Sequence, residues 1–477
     1  MASILERNEM MYVKKIFTDR KETFFRIGSV LVFVSILLSM ANLLIMPAAA
    51  SQNDGGSGGD AGDSFSTATP LDGPGNYTGE LNSTDVDDYY NITLTADHVY
   101  WINVSADQNV NVYIYDSSES EMDSSYGYET ITFSQAIKET TYYYIRVEND
   151  YSGYNSYHLN ITDWLVQDDA GSGGDAGDDF STATPMNSTG DYDGFFEYDG
   201  DRYDYYSINL TKDYVYWFNG SAEKEMGLSI YDSSQNELDG YSGSTSAILN
   251  LAIKENATYY IEMSINTDSQ SDYDLNITEW FKQDDANTGN DAGDNFTAAT
   301  PLNSTGDYEG FFEYDGDRDD YYSIDLKGDF VYWFNGTAGK DMGLRIYDSS
   351  QNEIDGYSGS TGVSLCTAIP ENGTYYIEIY ITIDSHEHYD LNITEWFKQD
   401  DANTGQDAGN DFSTATPLNS TGDYSGFFEY DGDRHDYYSI ELKKDYVYWF
   451  NGSANDDIGL KIYDSSESKL DGYSGST

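Results

Sequence analysis

One phrase recurs along this chain at a fixed interval. "EYDGDRYDYYSINL" begins at Glu197, "EYDGDRDDYYSIDL" at Glu313 and "EYDGDRHDYYSIEL" at Glu429, 116 residues apart both times. A looser copy, "ELNSTDVDDYYNITL", begins at Glu80 and places Asp85 and Asp88 in register with Asp201 and Asp204. A repeat of this length can bury a core of its own and is too long for a solenoid repeat, which runs about 20–50 residues. The chain therefore reads as beads on a string. Each bead opens on an Asp/Gly-rich linker: "QNDGGSGGDAGDSF", "QDDAGSGGDAGDDF", "QDDANTGNDAGDNF" and "QDDANTGQDAGNDF". The expected units are 51–166, 167–282, 283–398 and a truncated 399–477. Thr477 aligns with Thr361, so nothing matches 362–398 in the fourth unit, and the sequence reads as a piece of a longer product.

The net charge is −62. That excludes nucleic acid as a partner, because phosphate binding needs a basic face. Such acidity suits solubility at high salt or the binding of divalent cations. With 39% hydrophobic residues in periodic order, the chain is not a disordered acidic tract. The single cysteine, Cys366, rules out an intramolecular disulfide and reads as an incidental free thiol.

Residues 27–46, "IGSVLVFVSILLSMANLLIM", carry no charge and follow a basic region, 1–26. At about 1.5 Å per residue such a helix spans roughly 30 Å, the thickness of a bilayer core. The basic flank keeps the N-terminus cytoplasmic. "PAAAS" then offers a small-residue cleavage site, so 27–50 fits a cleaved signal or an uncleaved anchor, and the chain beyond it is expected to be exported. The 17 Asn-X-Ser/Thr sequons agree with export. Asn91, Asn160, Asn219, Asn276, Asn335, Asn392 and Asn451 are the glycosylation candidates, several of them at matching places in successive units.

Within the second unit, "YDGFFEY", "DYYSINL", "DYVYWFNGS", "GLSIYDSS", "SAILNLAI", "TYYIEMSI" and "YDLNITEW" are short Tyr-, Ile-, Val- and Phe-rich runs between turn clusters. Seven such runs without helical periodicity predict an all-β fold of antiparallel sandwiches. Alternation turns Tyr206, Ile208, Leu210, Leu228, Ile230, Leu249, Leu251, Ile253 and Ile261 inward. The tip "DGYSGST" would present Tyr241, Tyr357 and Tyr473 in register.

The order "DAGDDFSTATP", a glycine-containing strand, "DRYDYYSINL", "VYWFNGS", "LSIYDSS" and "ATYYIEMSI…YDLNIT" resembles the bacterial and archaeal pre-peptidase C-terminal (PPC) domain. The resemblance covers nearly all of 52–477, four times over. It implies a jelly-roll-like sandwich and a non-catalytic accessory role, such as binding matrix or polysaccharide or aiding secretion. Some members hold calcium between the opening linker and the first sheet loop.

The residues offer material for such a site. In the second unit these are Asp168, Asp169, Asp175 and Asp178 in the linker and Asp199, Asp201 and Asp204 in the loop. Unit three matches with Asp284, Asp285, Asp291, Asp294, Asp315, Asp317 and Asp320. Unit one matches with Asn53, Asp54, Asp60, Asp63, Asp85 and Asp88, and unit four supplies Asp431, Asp433 and Asp436. Calcium takes six to eight oxygens, and a cation relieves repulsion among crowded carboxylates. Three features leave a solvated acidic turn open as the alternative: Ser83 and Asn410 replace an Asp, and Arg202, Arg318 or Arg434 stands beside the carboxylates. The variable position, Tyr203, Asp319 or His435, reads as an outward one with no fixed task.

No catalytic constellation emerges. The five histidines do not recur in register, and neither "GxSxG" nor "HExxH" occurs. "HEH" at His386–His388 stands in one unit alone and reads as a loop variant. The expected function is a non-enzymatic exported array, on the cell surface or secreted, for adhesion, matrix or polysaccharide binding, or envelope structure. The alternative is the accessory region of an exported hydrolase whose catalytic domain lies beyond residue 477.

Overall fold

The computed structural model describes residues 52–475; the apolar segment 27–46 lies outside the described residues. No helix among the described residues is long and apolar enough to cross a membrane.

The first unit contains nine strands: β1 (Thr69–Pro70), β2 (Gly75–Leu81), β3 (Asp87–Leu94), β4 (His98–Ala106), β5 (Val110–Tyr115), β6 (Glu121–Gly127), β7 (Thr130–Ile137), β8 (Thr141–Asn149) and β9 (Asn155–Val166). One sheet runs β1-β3-β8-β5-β6 and the other β2-β9-β4-β7. Strands two to nine thus interleave between two four-stranded sheets in the order of a jelly roll, with β1 added at one edge. Unit three repeats both sheets strand for strand. In unit two the counterparts of β4 and β5 fuse into Tyr214–Tyr231, and those of β6 and β7 into Glu237–Ala252, which joins the sheets into one.

The fold is all-β, as the alternation predicts. In Asp87–Leu94 every second side chain is buried, and all nine residues expected to point inward lie in the core of unit two. Three separate cores form, drawn from residues 61–161, 176–277 and 292–393. Two details differ from the sequence reading. The Thr-Pro segment after each linker is a short strand that pairs in parallel with the strand carrying the acidic phrase, so the sandwich is not purely antiparallel. "DGYSG" is an edge strand and not a loop tip; its tyrosines are exposed because that edge has solvent on its outer face.

In the fourth unit, Thr416–Leu418 pairs with Tyr438–Ile440 and Ile458–Tyr463 with Lys469–Gly475. Among the described residues nothing there corresponds to β7, β8 or β9.

Candidate functional site

Each linker folds back beside the acidic loop of its own unit through one aspartate. The Asp169 carboxylate accepts the Ala176 N–H at 3.1 Å and the Phe195 N–H at 2.9 Å, tying linker to strand. Asp285 does the same with Ala292 and Phe311, both at 2.9 Å, and Asp401 with Ala408 and Phe427. The glutamine that opens the unit clamps the loop from the other side. Gln167 Nε2 donates to Asp201 at 2.5 Å, Gln399 to Asp433 at 2.7 Å, Gln52 to Asp85 at 2.8 Å, and Gln283 to Asp317.

The result is a cage of carboxylates. In unit three, Asp285, Asp291 and Asp320 bring ligand atoms within 4.8 Å of one another, and so do Asp291, Asp294 and Asp317, with Asp291 shared. Asp169, Asp175 and Asp204 form the same trio in unit two. Unit one has Asp54, Asp60 and Asp88 together with Asp60, Asp63 and Asp85.

Tyrosines close the cage from the core. The Tyr273 hydroxyl donates to Asp204 at 2.5 Å and meets Tyr206, Tyr389 reaches Asp320 at 2.6 Å, and Tyr157 reaches Asp88 at 2.5 Å. The ring passes over a glycine on the paired strand. A Cβ on Gly79, Gly194 or Gly310 would stand 2.2 Å from Tyr157, Tyr273 or Tyr389, so only glycine admits the tyrosine. The sequence reading did not name this pair, although a glycine 78 or 79 residues before a tyrosine in three units was the available signal.

The electrostatics are severe. Asp201, Asp204, Asp317 and Asp320 are buried, and burial followed by neighbouring carboxylates drives their pKa values well above the ordinary range. The same causes push Asp175 and Asp291 up to about 10 and Asp88 up to about 8. One oxygen of each of Asp85, Asp88, Asp201, Asp204, Asp291, Asp294, Asp317, Asp320, Asp407, Asp433 and Asp436 is buried without a hydrogen-bond partner. Buried polar atoms are rarely left so. Anionic oxygens converging without donors fit a hard divalent cation, which takes oxygen ligands only.

Other candidates lie elsewhere. Asp168 and Asp284 are exposed and accept the N–H of Gly173 and Gly289 across the linker turn. Asp178 meets Lys138 of the preceding unit. Asp199, Asp315 and Asp431 point away from the cage, and their carbonyls bond the preceding unit. Arg202, Arg318 and Arg434 lie over Tyr198, Tyr314 and Tyr430 at 3.9, 3.5 and 3.5 Å, and no ion pair joins them to the cage among the described residues. An Asp–Arg pair therefore does not neutralise the cluster. Unit four adds Asp401 and Asp407, which carrying the register forward from Asp169 and Asp175 would have named.

Among the sequons, Asn160, Asn276 and Asn392 donate their amide nitrogens to Asn76, Asp191 and Asp307, each at 2.7 Å. Asn219 and Asn335 donate to Asn276 and Asn392, Asn91 donates to the Ala68 carbonyl, and Asn451 is exposed. His386–His388 opens a strand, not a loop, and its two rings pack against Trp280, Phe281 and Phe311. Cys366 is a free, half-buried thiol.

No protein-family model matches the chain, and no curated protein matches it. Similar solved structures include the pre-peptidase C-terminal domain of a collagenase from Bacillus anthracis, at 17% identity over 20% of this chain and 93% of that one, TM-score 0.18. The tandem CBM22-1-CBM22-2 domain of Paenibacillus barcinonensis Xyn10C is similar at 7% identity over 43% and 87%, TM-score 0.15. A triple jelly roll protein of an archaeal virus turret assembly is similar at 8% over 67% and 85%, TM-score 0.16.

Proposed function

We propose that the chain is a non-catalytic, exported array of PPC-like jelly-roll modules, each stabilised by a structural calcium ion. On this reading the array serves at the cell surface or outside the cell, towards matrix, polysaccharide or envelope components. The observation that carries the proposal is the set of buried, unpartnered carboxylate oxygens at matching positions in four units.

Asp169, Asp175, Asp201 and Asp204 would hold the ion in unit two, with their register partners in the other units. Bound calcium supplies positive charge that neutralises the cage. Gln167 and Tyr273 orient Asp201 and Asp204 by donating to one oxygen and leaving the other free. Asp169, held by two backbone donors, fixes the linker against the sheet.

Calorimetry of the metal-stripped protein tests this. A ligand at a hundredfold excess over Kd that binds only the folded state stabilises it by about 2.7 kcal/mol. For units of this size that raises Tm by about 8–15 °C. Sodium at matched ionic strength should give only the screening part, and magnesium little more, because it demands tight octahedral geometry. Equal shifts with calcium and matched sodium would reduce the cage to a solvated turn.

A further inference from the structure

The recurring phrase contains residues the cage does not use, and they share one location. The loop Glu197–Asp201 is pinched shut by reciprocal backbone bonds: Glu197 N–H to Asp201 O at 3.1 Å and Asp201 N–H to Glu197 O at 2.8 Å. Its tip rests on the preceding unit. The Asp199 carbonyl accepts the Ala136 N–H at 3.2 Å and the amide of buried Gln135 at 2.7 Å. Asp315 accepts from Ala252 at 2.9 Å, and Asp431 from Ala368 at 3.0 Å. Gly200, Gly316 and Gly432 have φ of +116°, +106° and +107°, and a Cβ there would fall 2.6, 2.3 and 2.1 Å from the carbonyl oxygens of Ala136, Ala252 and Ala368. Both the backbone conformation and the close approach require glycine.

An apolar contact stands beside each tip. Phe195 packs with Val99, Ala136 and Leu165, and Phe311 with Val215, Ala252 and Phe281. Phe427 meets Phe397 at 4.6 Å. The opening glutamine completes the contact: the N–H of Gln167, Gln283 and Gln399 donates to Asp97, Asp213 and Asp329 of the unit before, at 2.8, 2.9 and 2.7 Å. Lys254 adds a bridge to Asp294 at 3.1 Å.

Unit one is the internal control. No copy of the repeat precedes it in the sequence. Strand register places Gly79 opposite Tyr157 as Gly194 stands opposite Tyr273, so Glu80 occupies the place of Phe195. Its loop reaches Asp85 one residue sooner and contains no glycine. The phenylalanine and the glycine recur in the three units that follow a described copy of the repeat and are absent from the loop of unit one.

We propose that Phe195–Asp201 and its copies 311–317 and 427–433 are plugs that seat each module in a socket on the module before it, formed by Val99, Gln135, Ala136 and their counterparts. The modules then stack as a stiff rod and not as beads on a string. The inference is independent of calcium. Covalently joined modules move relative to one another by default unless a packed contact holds them, and here one contact recurs in three places.

Spin-label distance measurements on the full chain test it, with Cys366→Ser to remove the native thiol. Ser117, Ser233 and Ser349 are exposed turn residues 116 apart, so Ser117→Cys/Ser233→Cys and Ser233→Cys/Ser349→Cys report the first and second joints. Both pairs should give one narrow distance distribution in the parent. Gly200→Val, which jams the plug, should widen the first about twofold or more and leave the second unchanged. Ala136→Leu, made in the socket, should do the same. Should Gly200→Val unfold unit two, the second pair would widen as well, and Ala136→Leu then decides. A broad first-pair distribution in the parent, or an unchanged one in Ala136→Leu, would overturn the rod.

Discussion

Units three and four carry almost the same sequence through linker, loop and first strands, yet they bury it differently. Val331 is fully buried between strands Gly362–Ile369 and His386–Lys398, whereas Val447, 116 residues on, has no copy of those strands among the described residues and is 89% exposed. Asp320 is buried against Tyr389, whereas Asp436 is half-buried and accepts from Tyr438, two residues on, at 3.3 Å. The linker half of the cage is nonetheless intact in unit four: Gln399 holds Asp433, and Asp401 holds Ala408 and Phe427. The contact with unit three is intact too. The cage therefore has two layers. One is local to linker and loop and forms from sequence neighbours; the other is the tyrosine supplied by the closing strand.

The largest effect expected from breaking this comparison comes from Asp320→Asn. In metal-free buffer it replaces a carboxyl that the fold holds protonated, so unit three no longer takes up that proton on folding and should gain stability on the order of 2–3 kcal/mol near pH 7. With calcium the same change removes a ligand, and the variant should melt below the parent. Asp436→Asn should show the same crossing with smaller amplitude, because that carboxyl is less buried. Calorimetry with and without calcium reads both signs. A variant less stable than the parent in both buffers would mean that Asp320 serves only as a hydrogen-bond acceptor for Tyr389.

The local layer was legible in the sequence and the long-range layer was not. Acidic residues at fixed distances from a Tyr-Tyr strand mark the loop wherever they recur, and period-two alternation picked out the core of unit two without error. Tyr273 and Asp204 are 69 residues apart, and no local pattern connects them. The two phenylalanines of "FFEY" looked alike. Neighbours on a strand face opposite ways, so Phe196 enters the core of its own unit while Phe195 had to point outward. An outward phenylalanine repeated in three units was the trace of the joint. Asp199 looked like a ligand because it sits among ligands; its backbone, which a sequence does not display, is what the fold uses.

Acidity should separate the units next. Burial and neighbouring carboxylates raise Asp436 to about 7, Asp407 to about 8 and Asp291 to about 10, against an unfolded value near 3.9. A carboxyl whose folded pKa is raised stabilises the fold fully below its unfolded value, and that contribution is lost as pH rises through the folded one. Metal-free protein should thus lose stability from about pH 4 upward, with the loss ending near pH 8 in unit four and continuing towards pH 10 in unit three. Calcium requires the ionised cage, so its stabilising shift should grow over the same interval. Metal-free melting temperatures that rise between pH 5 and 8 would contradict the crowding of charge.

The smallest effect isolates the second layer. Tyr389→Phe keeps the ring over Gly310 and deletes only the hydroxyl that reaches Asp320 and Tyr322. Metal-free Asp320 is a neutral acceptor, and losing such a hydrogen bond costs about 0.5–1.5 kcal/mol while the packing of the ring remains. With calcium bound, Asp320 is ionised but has the ion as a partner as well, so the cost should stay within that range. Unit four has no counterpart of this tyrosine among the described residues, so its transition should not move. Chemical denaturation of the full chain, followed by hydrogen exchange in both units, separates the two responses. A change in unit four equal to that in unit three would show that stability passes through the joint, and the two layers would then belong to one cooperative array.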